Sequence, residues 1–187
     1  MATPLTTLTP ASYTLIFWGN SYDENATTIF TTGLRAAGLR VKIVGTSGIQ
    51  AKGQSGITLQ ADLCANEIYS LAKETRCIVL PCDLLGYRQL EKDPQLNTFF
   101  TELRNSLNRS SRDVTFVLHQ SLKSISYALQ ESVESVEVLI YPQEEALFAF
   151  TRTMVERIKG RFQCTEKDHH AVPRHLFPTH LQGFVYP

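Results

Sequence analysis

The residue whose type and position most invite chemistry is His119, in Ser111-Arg-Asp-Val-Thr-Phe-Val-Leu-His-Gln120. The apolar run Val114–Leu118 reads as a buried strand, and His119 stands at its carboxyl end. In open α/β sheets ligands collect just beyond the carboxyl ends of strands. An imidazole there can act as a nucleophile, a general base or a hydrogen-bonding partner, with an ordinary pKa of about 6.5. The competing reading is a half-buried histidine that fills the place without reacting, and that reading is preferred. Cys82 follows Pro81 at the end of a second apolar run and is placed to lie near His119. A Cys–His pair lowers the thiol pKa and yields a reactive thiolate. Against this, Cys82 can be a small filler. Asp23 and Glu24 precede the first helix, where acids supply a general acid or cap the helix and favour its dipole; capping is the stronger expectation.

Two glycine-rich stretches, Gly45-Thr-Ser-Gly48 and Gly53-Gln-Ser-Gly56, match no phosphate-cradling motif. Gly19-Asn-Ser21 follows the first strand but is succeeded at once by acids, which disfavours an anion such as a flavin phosphate. No cofactor is expected. The tail carries Cys164, Asp168, His169, His170, His175 and His180, which are suitable zinc ligands. Their spacing fits no standard zinc motif. Phe177, Phe184 and Tyr186 favour an arm that packs on the body or on a second subunit.

These residues need a scaffold, and apolar and helical segments alternate along the chain. Strands are expected over Tyr13–Trp18, Arg40–Val44, Ile57–Gln60, Cys77–Pro81, Val114–Leu118 and Val136–Tyr141. Helices are expected over Asn25–Ala37, with Gly38 ending the first, then weakly over Ala65–Lys73, and over 94–107, Ser121–Gln130 and Glu144–Lys159. Asp93 and Pro94 form a helix start, and Leu96, Phe99, Phe100, Leu103 and Leu107 give that helix an apolar stripe. The last helix is expected to bury Leu147, Phe148, Phe150, Met154, Val155 and Ile158. Gly45–Gly56 and Cys82–Lys92 read as loops. This alternation predicts a mostly parallel sheet covered on both faces.

The chain has 187 residues, 43% of them hydrophobic, enough for one domain with a sizeable core. Lys+Arg and Asp+Glu are both 18, so no basic face for nucleic acid is implied. No apolar run is long enough for a membrane span, and the lysine- and arginine-free start does not read as a signal peptide. Four cysteines without CxxC or framework spacing suggest reduced thiols and a cytoplasmic protein. Residues 1–12 are expected to be a disordered lead-in, 13–160 the α/β domain and 161–187 an extended C-terminal arm.

Four segments carry a resemblance. They are Leu15-Ile-Phe17 before an acidic turn and helix; Arg35-Ala-Ala-Gly-Leu-Arg-Val-Lys-Ile-Val-Gly45; Ile78-Val-Leu-Pro-Cys-Asp-Leu-Leu-Gly86; and Ala146-Leu-Phe-Ala-Phe-Thr-Arg-Thr-Met-Val-Glu-Arg-Ile-Lys-Gly160. In order and spacing they resemble the ThiJ/PfpI superfamily, related to class I glutamine amidotransferases. The resemblance implies a flavodoxin-like three-layer sandwich and a homodimer. It also implies a nucleophilic cysteine at the position of His119, an acid at the position of Ala26 and a Gly-Gly pair at Cys82-Asp83. None of the three is present; Glu24 is the nearest carboxylate. The segment after Gln130 is too short for the usual strand bearing a partner histidine. The expectation is therefore a diverged, non-catalytic protein, a pseudoenzyme that binds a small ligand or a protein partner in a regulatory role. The alternative is an enzyme of glyoxalase, deglycase, amidase or peptidase type with relocated chemistry at Cys82 and His119. A further alternative is metal binding by His169, His170, His175 and His180.

Overall fold

A computed structural model describes residues 12–110, 112–132 and 135–167. Five helices and eight strands are present among them. The strands are β1 (Tyr13–Trp18), β2 (Arg40–Gly45), β3 (Gln50–Lys52), β4 (Thr58–Gln60), β5 (Leu63–Cys64), β6 (Thr75–Leu80), β7 (Val114–His119) and β8 (Val136–Tyr141). The helices are α1 (Glu24–Ala36), α2 (Leu84–Glu91), α3 (Pro94–Arg109), α4 (Lys123–Ser132) and α5 (Glu144–Lys167). Six strands form one sheet in the order β5-β2-β1-β6-β7-β8, and every pairing in it is parallel.

The reason for this arrangement lies in the strand sequences. β1, β6 and β7 are continuous apolar runs rather than alternating ones, so both of their faces must be covered. Successive side chains divide between two cores. Leu15, Phe17, Ile78, Leu80, Phe116 and Leu118 pack against α3 residues such as Phe99 and Leu103. Ile16, Val79 and Val117 pack beneath α1 and α5, against Phe30, Leu34, Leu147, Met154 and Ile158. Asp93 accepts from the backbone N–H of Gln95 and Leu96, with Pro94 in the first turn of α3, as the sequence predicts. Gly38 takes φ 81° just past α1, a conformation that only glycine adopts without cost.

Several expectations change. Cys82–Lys92 is not a loop throughout: Asp83 accepts from Gly86 N–H and starts α2. Ala65–Lys73 is not one helix but two short 3₁₀ turns, Ala65–Glu67 and Tyr69–Leu71, which set Ala65, Ile68 and Ala72 into the core. Gly45–Gly56 is not a free excursion, since β3 pairs antiparallel with β4 to make a small hairpin. α5 continues to Lys167, so the segment after Gly160 begins as helix rather than as an extended arm. Phe148 is 71% exposed, because Leu147, Met154 and Ile158 already fill the stripe facing the sheet.

The hairpin is tied down by the end of β1. Trp18 Nε1 donates to Ala51 O at 3.2 Å, Ser21 N–H to Lys52 O at 2.9 Å and Gln54 N–H to Tyr22 O at 3.0 Å. Its strongest tie is Glu24, only 3% exposed. Ser55 N–H donates to both carboxylate oxygens, at 2.8 and 2.9 Å, and Ile57 N–H donates to one at 3.1 Å. A Cβ on Gly53 would overlap this carboxylate, so glycine is the residue that lets the hairpin close on it. On the edge strand, Glu137 points to the α5 face and pairs with Arg157 at 2.8 Å. Thr115 Oγ1 donates to the same carboxylate at 3.2 Å.

Burial alone would raise the pKa of Glu24, but the Ser55 and Ile57 N–H groups outweigh it and hold the carboxyl below its ordinary 4.5. The native state then binds fewer protons than the unfolded chain, so the clamp's stabilisation is complete above the ordinary value and is lost as pH falls through the lowered one. Urea unfolding of wild type should show this acid loss, and Glu24→Gln should flatten that part of the pH profile. Glu24→Ala strands the Ser55 and Ile57 donors and should cost about 3 kcal/mol at pH 7. Gly53→Ala should cost a similar amount. The double variant should fall well short of the sum, since both changes break one contact.

Candidate functional site

The strand order reverses between β1 and β6, and the crevice outside their carboxyl ends is where a doubly wound sheet ordinarily holds a ligand. Here a side chain occupies that place. Tyr22, 1% exposed, sits against Trp18 with ring centroids 6.3 Å apart. Gly19 and Gly86 make the room. A Cβ on Gly86 would lie 2.9 Å from Cys82 Cβ and 3.0 Å from Tyr22 Cε1. A Cβ on Gly19 would overlap Thr46 and come within 3.1 Å of Tyr22. The Tyr22 hydroxyl lies beside Cys82 and Thr46, is buried, and makes no hydrogen bond of good geometry. Burial, and then the neighbouring Cys82, push its pKa far up. Ser21, immediately before it, is the single non-glycine residue with positive φ (65°) among the described residues. The strain of the site region therefore sits on the turn that inserts Tyr22.

The backbone at His119 is relaxed. Its φ of −63° and ψ of 148° are ordinary extended values. A nucleophile elbow needs a sharp, strained strand-to-helix turn that thrusts its side chain forward, and that turn is absent at His119. The ring instead caps the short 3₁₀ turn Gln120–Leu122. Ser121 N–H donates to Nδ1 at 3.2 Å, and Ser121 Oγ lies 2.8 Å from the same nitrogen. Accepting from a peptide N–H places the proton of the neutral ring on Nε2. The ring meets Tyr141 edge-on at 5.3 Å.

Cys82 is 1% exposed and belongs to the Phe17–Leu118 core. Burial pushes its thiol up to about 12, only partly opposed by its contact with the Tyr22 hydroxyl. Its contacts run to Tyr22, while those of His119 run to Ser121 and Tyr141, so the two are not joined. Asp83, at the second position of the resembled Gly-Gly pair, is committed to capping α2. Asp23 caps α1 by accepting from Ala26 N–H at 2.9 Å, as expected for this turn. Glu24 faces the hairpin and not His119.

What remains open is a cleft of about 1020 Å³ beside the carboxyl ends of β7 and β8, lined by Asp23, His119, Gln120, Tyr141, Gln143 and Glu145. Two carboxylates and no Lys or Arg face it. Tyr141, 2% exposed, forms its floor and packs edge-on against Phe30 at 5.3 Å. Its hydroxyl is buried without a hydrogen-bond partner, and burial followed by the charges of Asp23 and Cys82 raises its pKa strongly. Neither Tyr22 nor Tyr141 stands out in the sequence, where Tyr22 reads as part of a turn before the first helix and Tyr141 as one more apolar residue at a strand end. The pairing of Gly19 with Gly86 across the plug has no local sequence signal. Among the described residues no group of His, Cys, Asp and Glu is arranged to hold a metal. His169, His170, His175 and His180 lie outside the described residues. No helix among the described residues is long and apolar enough to cross a membrane.

No protein-family model matches the sequence, and no curated protein matches it. Solved structures do. The VC2308 protein superposes with a TM-score of 0.61 at 14% identity, over 88% of this chain and 95% of that one. A cysteine-to-alanine mutant of the DJ-1 superfamily protein STM1931 from Salmonella typhimurium gives 0.58 at 12% identity, over 84% and 97%. Oxidized Toxoplasma gondii DJ-1 gives 0.58 at 13% identity, over 83% and 95%. The chain therefore has the α/β fold of the DJ-1/ThiJ/PfpI superfamily, with Tyr22 in its switch-point crevice and an open cleft beside His119.

Proposed function

We propose that this protein is a non-catalytic relative of the DJ-1/ThiJ/PfpI enzymes, and that its His119 cleft binds a small polar ligand or a partner's side chain in a regulatory role. The observation that carries this reading is the state of position 119: an imidazole on relaxed backbone, with Nδ1 occupied by Ser121. Nucleophilic catalysis needs an activated group within reach of a base. The thiol at Cys82 is buried and held up to about 12, and its polar neighbour is a phenol. A cleft of about 1020 Å³ is nonetheless open beside the carboxyl ends of β7 and β8, next to the filled switch-point crevice. Its carboxylates, together with the Nε2–H of His119, suit a ligand rich in hydrogen-bond donors with an acceptor at one end. The protein is read as a cytoplasmic homodimer. Cys64, Cys77 and Cys82 are free thiols, which fits a reducing compartment. Ile49 and Ile57, 45% and 55% exposed, offer apolar surface near the hairpin for a second copy.

The test is turnover of methylglyoxal, glycated amines, simple amides and peptides by the purified full chain. None should be converted above background, and His119→Ala should leave that background unchanged. Turnover that falls on His119→Ala would overturn the reading in favour of relocated chemistry. Thiol labelling gives a second check. Iodoacetamide at pH 7.5 should modify Cys82 at least a hundredfold more slowly than a free model thiol, a retardation of about the size expected from its raised pKa and burial. His119→Ala should not alter that rate. Prompt labelling of Cys82, slowed by His119→Ala, would restore the Cys82–His119 pair as an active centre.

A further inference from the structure

On the opposite face of the sheet from His119, the α2–α3 pair encloses a second cavity of about 400 Å³. Leu80, Leu103, Leu107, Phe116 and Val136 contribute apolar walls. Phe100 is stacked between Phe17 and Phe116, with centroids 5.8 and 6.5 Å apart and planes inclined by 25° and 28°. The cavity exists because the sheet is incompletely covered here: Val136, Val138 and Ile140 of β8 are only half-buried. A pocket of this size with a few placed polar groups is the usual form of a small-molecule site.

The polar groups are distributed unequally. Asn97, Thr101 and Arg104 follow one another at helical spacing along α3 and all line the cavity. Arg104 is exposed and makes no ion pair or hydrogen bond among the described residues. Glu91 lies at the other end, at the close of α2, and is engaged with the Tyr87 hydroxyl. From the first turn of α3 to Arg104 the helix rises about 15 Å. The groove is thus an apolar trough with an uncommitted cation at one end and an anion at the other. An occupant with a hydrocarbon body and one terminal anion fits this. A dianion would meet Glu91, and an amphipathic cation would have for its head group only Glu91, which the Tyr87 hydroxyl already engages.

We propose that the groove between α3 and β6–β8 is a binding site for an amphipathic monocarboxylate, with its carboxylate on Arg104 and its chain on Phe100 and Phe116. This site is separate from the His119 cleft, and neither depends on the other. The experiment is calorimetric titration of the full chain with sodium decanoate below its micelle-forming concentration. Saturable binding at one site per chain is expected. Arg104→Gln should weaken it about tenfold, the effect of removing one charge-assisted hydrogen bond. Thr101→Trp, at an exposed position on the lip, should fill the trough and abolish binding, with the fold checked by circular dichroism. Decyltrimethylammonium should not bind saturably. Absence of saturable decanoate binding would overturn the proposal. So would decanoate affinity unchanged in Arg104→Gln, or ammonium binding as tight as that of the carboxylate. Should Thr101→Trp fail to fold, the Arg104→Gln and ammonium titrations decide alone.

Discussion

The buried carboxylate of Glu24 ties together two parts of the chain that are distant in sequence. It belongs to the first turn of α1, and its hydrogen-bond donors belong to the β3–β4 hairpin. An ionised group taken out of water is costly unless its lone pairs are satisfied. Three N–H···O contacts from Ser55 and Ile57 satisfy them here, which is why the group stays charged despite burial. Once the hairpin is held, Trp18 has its acceptor at Ala51. Gln54 N–H of the hairpin also bonds Tyr22 O, while the Tyr22 ring and Cys82, each 1% exposed, pack against Gly86 of α2.

Backbone strain in this region falls on a turn and not on the strand end. Catalytic centres store strain where the reacting group must be presented. In this protein the positive φ falls on Ser21, which inserts a filler, and the strand-end residue His119 is unstrained. Donors that could face a developing oxyanion are used locally: Gly86 N–H goes to Asp83, and Ser121 N–H goes to His119. Each of these polar groups has been turned inward to hold a turn or a cap. The two exceptions, the hydroxyls of Tyr22 and Tyr141, are enclosed by the aromatic packing that put them there.

Much of this fold is legible in the sequence because its signals are local. Continuous apolar runs such as Val114–Leu118 identify buried parallel strands, and Asp93-Pro94 marks a helix start. That His119 ends an apolar run and that Cys82 and Asp83 follow Pro81 is equally plain from the residue order. Three other features leave no such local mark. The helix Leu84–Glu91 is short, and only part of it packs on the core, so its weak apolar period hides it. Glu24 reads as an ordinary acidic first-turn residue, since the Gly53 that accommodates it is far along the chain. The plug formed by Tyr22 depends on two glycines, Gly19 and Gly86, that meet only in the folded state. Properties set by one element are visible in the sequence; properties set by two distant elements closing on each other are not.

The charge on the outermost strand bears on how the sheet keeps its alignment. β8 reads Val-Glu-Val-Leu-Ile-Tyr, and nearly any register would let its apolar residues find the sheet. Glu137 removes that freedom. In the observed register it faces α5, where Arg157 and Thr115 receive it. A slip of one residue would turn every side chain of the strand to the other face. Glu137 would then lie against Phe116 and the apolar trough, ionised and without a partner. A single misplaced carboxylate would cost more there than the apolar contacts could return. The glutamate therefore works as a proofreader: it adds little to the strength of the sheet, but it makes the wrong alignment untenable.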